Sequence, residues 1–172
     1  MTQRRYNVLF LCTGNSARSI MAEAIMNQKG APNFTAFSAG SHPAGAVRPE
    51  ALHQLESAHL STAGLHSKSW DEFATPGAPR LDFVITVCDN AANEVCPIWP
   101  GQPMTAHWGI PDPAAVKGTE HQVRKAFLEA FFLLERRISL LLSMPITTMD
   151  RLALKKELEE IGRQESARAL QK

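Results

Sequence analysis

The chain has 172 residues, 44% of them hydrophobic and 20% charged, with a formal net charge of +1; that length fits one domain with a sizeable core. Without any run of like charges it lacks the electrostatic footprint of a nucleic-acid binder. The apolar run Val8–Leu11 is shorter than the roughly 7–15 residues of a signal-peptide core, and the longest apolar candidate, Ala126–Leu142, is interrupted by four charges, so a cytoplasmic protein with no membrane partner is expected.

Tyr6–Leu11 (YNVLFL) reads as a buried strand and Ser19–Gln28 as a helix stopped by Gly30. Phe34–Ser38 is a second short strand. The loop Ser41–Pro49 leads into a helix that begins at Pro49 and runs to about Ala58. Ser69 caps a helix start at Trp70. Gly77, Ala78 and Pro79 break the chain before Leu81–Val87 (LDFVITV), a second buried strand, and a short helix follows over Asn90–Val95. Met104–Trp108 is the last strand. Gln122–Leu142 has apolar residues at helical spacing and ends at Pro145. Thr147–Asp150 offers a cap for a final helix, with Met149, Leu152, Leu158 and Ile161 on one face.

This alternation argues for a doubly wound α/β fold, a mostly parallel sheet flanked by helices. Residues 1–144 are expected to form the domain and 145–172 a C-terminal helical extension. The apolar face of that extension suits packing on this chain or on another subunit equally.

Ligands of such sheets bind at the carboxyl ends of the strands. Cys12, Cys88 and Asp112 each follow a predicted strand, so chain order alone sends them to one edge. After Cys12 comes a loop of small residues closed by Arg18. Gly14 and Asn15 tolerate left-handed backbone, which turns successive N–H groups inward. The following helix adds its unpaired N–H groups, and the Arg18 fork holds two oxygens of a tetrahedral anion. Thr13, Gly14, Asn15, Ser16, Ala17 and Ser19 therefore read as the oxyanion cradle. The same donors, with the Ser19 hydroxyl, should lower the pKa of the Cys12 thiol. Three cysteines in a chain without an export signal are expected to remain thiols rather than structural disulfides. None of the six histidines has a metal-ligand spacing, and Trp99 and Trp108 read as lid or core.

The segment CTGNSARSIMAEA, with FSAG (Phe37–Gly40), DFVITVCDNAANEVCP (Asp82–Pro97) and HWGIPDPA (His107–Ala114), resembles the low-molecular-weight tyrosine phosphatase family. It is most similar to the thioredoxin-coupled arsenate reductases built on that fold. The resemblance covers most of Tyr6–Leu142, and the tail from about Pro145 lies outside it. It implies Cys12 as nucleophile, Arg18 as anion clamp and Asp112 as general acid. Phosphotyrosine enzymes carry aromatic residues after the Asp-Pro pair; here Ala114 and Ala115 follow, and the only tyrosine is Tyr6.

The resemblance further implies arsenate as substrate, phosphate or sulfate as competing oxyanions, and no bound cofactor. Cys12 attacks arsenate, Cys88 attacks Cys12 as arsenite leaves, and Cys96 attacks Cys88 to deliver a disulfide to thioredoxin. The residues between Cys88 and Cys96 lack large anchoring side chains apart from Val95, which suits a segment that moves. Seven residues separate the two cysteines, one more than thioredoxin-linked members usually have, which keeps a glutathione/glutaredoxin donor open. Related enzymes often carry a cysteine at the Ala17 position, outside the relay. Some members bind a monovalent cation beside the loop. Asn15, Glu23 and Ser38 match its ligands, but Ser69 replaces the acidic one, so no metal site is expected and Asn15 braces the loop. Two alternatives stay open: a phosphatase for phosphotyrosine or small phosphoesters with Cys88 and Cys96 idle, and an oxyanion-sensing module without turnover.

Overall fold

The computed structural model describes residues 5–88, 99 and 101–170, with side chains as far as Arg163. Strand β1 (Tyr6–Leu11) is apolar at nearly every position, and successive side chains of a strand face opposite sides of a sheet. Val8 and Phe10 accordingly enter one apolar cluster, and Leu9 and Leu11 another. A strand of this kind needs cover on both faces. It lies between β2 (Phe34–Ala39) and β3 (Phe83–Thr86), with β4 (Met104–His107) beyond β3. The order is β2-β1-β3-β4 and every pairing is parallel.

Helices α1 (Arg18–Lys29), α2 (Pro49–Ser57), α3 (Glu120–Leu142) and α4 (Arg151–Leu170) supply the core on the Val8 and Phe10 side. The other face is covered by a 3₁₀ turn at Trp70–Phe73, by Leu81 and by Trp99, whose ring meets that of Trp70 edge-on at 6.3 Å. The expected parallel α/β sheet is thus present, with element ends displaced by one to a few residues. Helix α3 starts at Glu120 because Thr119 and Gln122 form a capping box. The helix expected over Asn90–Val95 lies outside the described residues. Because β2 and β3 flank β1 on opposite sides, the connections change direction at its carboxyl end, where open sheets place their ligands.

The last helix packs on this chain. Asp150 caps it, accepting from Ala153 N at 2.8 Å. Leu154, Leu158 and Ile161, one helical turn apart, are buried in the main core. Trp108 Nε1 donates to the Leu158 carbonyl at 2.9 Å, and Arg137 Nη2 donates to that of Gly162 at 3.3 Å. Gly162 lies so close to the His107 carbonyl that a Cβ there would collide with it. Leu152, expected on the apolar face, is instead 81% exposed. Two residues from Leu154 is about half a turn of helix, so the two cannot share a face. Among the described residues no helix is long and apolar enough to cross a membrane.

Truncating a buried leucine removes transfer free energy and leaves a cavity. Leu158→Ala should cost about 2–5 kcal/mol, whereas Leu152→Ala should change stability by less than about 0.5 kcal/mol. Thermal unfolding of the two variants followed by circular dichroism tests the assignment; equal shifts would contradict this docking of α4.

Candidate active site

Beyond Leu11 the chain leaves the sheet at Cys12 and curls through residue 17 into α1. Three carbonyls of the curl are tied outward. That of Thr13 accepts from His42 N at 2.9 Å, that of Gly14 from Ala44 N at 2.9 Å and Ser67 Oγ at 3.2 Å, and that of Ser16 from Arg48 N at 2.8 Å. In a planar trans peptide the next N–H points the opposite way. The N–H groups of Gly14, Asn15 and Ala17 therefore turn from the protein toward the inside of the curl, and that of Gly14 bonds to Cys12 Sγ. Gly40 backs the loop so tightly that a Cβ there would lie 2.8 Å from the Cys12 carbonyl oxygen.

Asn15 adopts φ 44°, a left-handed conformation that asparagine tolerates. Its Nδ2 donates to Ser19 Oγ at 2.8 Å and its Oδ1 accepts from Lys68 N at 2.9 Å. Both Asn15 and Ser19 are fully buried. They brace the loop from behind, as expected for Asn15, and do not line the cavity. The N-cap of α1 is Ala17, with no side-chain hydrogen bond. A serine or aspartate there would engage the first helical N–H groups; without one they stay available to an anion, backed by the helix dipole.

Arg18 Nη1 donates to the Ile110 carbonyl at 2.9 Å, and Nη2 lies 3.6 Å from Asp112 Oδ2. Asp112 Oδ1 accepts from Ala114 N at 2.9 Å, capping the short turn Pro113–Ala115. Its side chain is 43% exposed. Cys12, Thr13, Gly14, Ser16, Ala17, Arg18 and Asp112 line a cavity of about 170 Å³, below the roughly 300–1,000 Å³ of sites for larger organic ligands. No aromatic ring is among these residues, and Trp108 and Trp99 are buried in the core. A larger open groove of about 450 Å³ beside β4 and α4 has no cysteine or carboxylate among its lining residues; the smaller cavity has both, in Cys12 and Asp112.

Cys88 arrives from β3. The register pairs Leu11 with Thr86, and two further steps along parallel strands bring Cys88 beside Thr13. Thr13 N donates to Cys88 Sγ at 3.2 Å, and Thr13 Oγ1 lies 3.6 Å away. Both cysteines are buried thiols rather than disulfide partners. The hydrogen bond that the Cys12 thiol makes to Cys88, followed by burial, pushes the Cys12 thiol well up, against the downward pull of Arg18 and the Gly14 N–H. The loop alone predicts a lowered pKa; the second thiol reverses the direction. Cys96 lies outside the described residues.

Spacing along the chain does not point to Ser67 and Lys68, which hold the loop from a segment 53 residues away. A lysine in a polar loop reads as solvated. Among the described residues no group of His, Cys, Asp or Glu is placed to hold a metal ion.

Residues 7–160 match the low molecular weight phosphotyrosine protein phosphatase family. The chain belongs to this family. The match enters α4, beyond the end near Pro145 expected from the motifs. Curated relatives include the arsenate reductase of Bacillus cereus (strain AH187), 33% identical over 120 residues, which are 70% of this chain and 86% of that protein. The arsenate reductase of Bacillus subtilis (strain 168) is 35% identical over 115 residues, 67% of this chain and 79% of the relative. The solved arsenate reductase of Archaeoglobus fulgidus superposes with a TM-score of 0.57 at 29% identity, covering 77% of this chain and 98% of that one.

Within this phosphatase-family loop, Cys88 is the largest influence raising the Cys12 thiol. Cys88→Ala should therefore lower that pKa and enrich the thiolate near neutral pH, about tenfold for every pH unit by which the pKa falls. Alkylation of Cys12 by iodoacetamide, followed by peptide mass spectrometry, should be faster in the variant; an unchanged or slower rate would show that Cys88 does not control the thiol.

Proposed function

We propose that the chain reduces arsenate to arsenite through a cysteine relay. The observation that carries this reading is the Cys88 thiol, hydrogen-bonded to Cys12 and held by the N–H of Thr13. Ester hydrolysis has no use for a second thiol at the nucleophile. Reduction of an oxyanion needs two electrons, and a pair of neighbouring thiols can supply them. The small cavity, with no aromatic ring among its described lining residues, and the relatives named arsenate reductase support the same conclusion.

Arsenate sits on the inward N–H groups and the Arg18 fork. Cys12 Sγ bonds to arsenic, and an arsenate oxygen leaves as water, protonated by Asp112, whose proton is replaced by the one shed from the thiol. Cys88 then attacks Cys12 Sγ. The sulfur–arsenic bond breaks with its electron pair on arsenic, which departs as arsenite, and the two sulfurs, oxidised by two electrons, form a disulfide. Cys96 next attacks Cys88, restoring the Cys12 thiol and leaving a Cys88–Cys96 disulfide. The donor we assign is thioredoxin in the cytoplasm, with glutathione and glutaredoxin as the alternative. Phosphate and sulfate compete for the loop.

The second reading is a phosphatase for small phosphoesters, since Cys12, Arg18 and Asp112 serve hydrolysis equally. Supplying arsenate, thioredoxin, thioredoxin reductase and NADPH separates the two. NADPH oxidation should depend on arsenate and be lost in Cys88→Ser, while slow hydrolysis of an aryl phosphate persists. Cys96→Ser should stop after one turnover with a Cys12–Cys88 disulfide visible by mass spectrometry. Arsenate turnover that survives Cys88→Ser sinks the relay, and a parallel assay with glutathione and glutaredoxin identifies the donor.

A further inference from the structure

Behind the anion loop lies a second polar cluster, built around an ammonium. Lys68 Nζ donates to the carbonyl oxygens of Ser38 and His66, each at 2.9 Å, and lies 3.8 Å from Glu23 Oε1. Ser38 Oγ donates to the same carboxylate oxygen at 2.6 Å. The two charged side chains are only 10% and 14% exposed. Burial pushes the Lys68 ammonium down and the Glu23 carboxyl up; each charge opposes the other's shift, and the Ser38 hydrogen bond also pulls Glu23 back. Ions this poorly solvated persist only where they are paired and hydrogen-bonded.

Two carbonyls and a carboxylate form the kind of oxygen set that suits a hard cation. Here they are already engaged. Glu23 and the Ser38 carbonyl face the lysine ammonium, and the Asn15 side chain is committed to Ser19 and the Lys68 N–H. Ser69, at the position read as the further ligand, accepts from Asp71 N at 3.1 Å. These residues therefore do not fit a bound potassium ion, because a tethered cation stands among them.

The same lysine reaches the loop through its backbone. Lys68 N donates to Asn15 Oδ1, its carbonyl accepts from Gly40 N at 2.9 Å, and its neighbour Ser67 donates to the Gly14 carbonyl. The segment 66–69 thus sets both the left-handed Asn15 and one outward tie of the loop. The ammonium fixes that segment to the end of β2 and to α1.

We infer that Lys68 is a positioning residue of the anion site whose ammonium takes the place of a bound monovalent cation, making oxyanion binding independent of potassium. This rests on the oxyanion loop, which reduction and hydrolysis share, so inorganic phosphate reads it without any relay. Phosphate is titrated calorimetrically into the full chain in choline chloride and in potassium chloride at matched ionic strength. Wild-type Kd should agree between the two salts within about twofold, and Lys68→Ala or Lys68→Met should weaken binding about tenfold in choline, the equivalent of one decade of affinity. Potassium or methylammonium chloride should then restore most of the loss, a rescue that a merely structural role would not show. Several-fold tightening of wild-type binding by potassium overturns the inference, as does unchanged affinity in the variants or a loss that neither cation relieves. Should neither variant fold, the wild-type comparison between salts still decides.

Discussion

Everything at the carboxyl end of this sheet depends on three peptide carbonyls facing away from the site they serve. A loop around an anion must present donors inward, and every inward N–H requires the preceding carbonyl to find a donor elsewhere. Thr13, Gly14 and Ser16 find theirs in the backbone N–H groups of His42, Ala44 and Arg48. A buried carbonyl left without a partner costs free energy comparable to a lost hydrogen bond. The segment after β2 is therefore part of the candidate site although it does not line the cavity. Gly40 lets the two backbones approach, and Asn15 supplies the left-handed turn between them.

This explains which parts of the molecule are legible in the sequence. Cys12, the small residues after it and Arg18 are contiguous, and their chemistry follows from residue type and spacing. The outward ties are not legible in the same way. They are made by backbone N–H groups, which every residue but proline possesses, so SHPAGAVRP carries no side-chain mark of its role. Lys68 is hidden for a related reason: besides the neighbouring His66 carbonyl, its ammonium is satisfied by the Ser38 carbonyl and the Glu23 carboxylate, both distant in sequence. On α4 the apolar identity of Leu152 is visible in the sequence, while the helical phase that exposes it depends on where Trp108 and Gly162 meet.

The direction of the Cys12 pKa shift shows the same limit at the level of chemistry. Loop donors and a guanidinium favour thiolate, and those influences are local. The opposing influence comes from a thiol delivered by another strand through the β1–β3 register. The hydrogen bond between the two thiols and their burial both push Cys12 up. A hydrolase gains nothing from restraining its nucleophile in this way. The relay we propose needs the second sulfur close to the first, and the raised Cys12 thiol accompanies that placement.

The final helix joins this scheme through an arginine fully buried in the core. Arg137 Nη1 donates to the carbonyls of Trp108 and Gly109 at 2.7 and 3.2 Å, and its Nη2 reaches Gly162 on α4. Arg18 holds the next stretch at the Ile110 carbonyl and pairs with Asp112. Two guanidiniums thus grip consecutive parts of the chain leaving β4, one from the core and one from the anion loop. The rigid fork of arginine suits this task, because each head spans more than one acceptor in fixed geometry. Asp112, the general acid of the proposed reaction, is therefore positioned by two independent anchors. One runs through the loop after β1, and the other through α4, whose buried leucines hold Gly162 against the edge of the sheet.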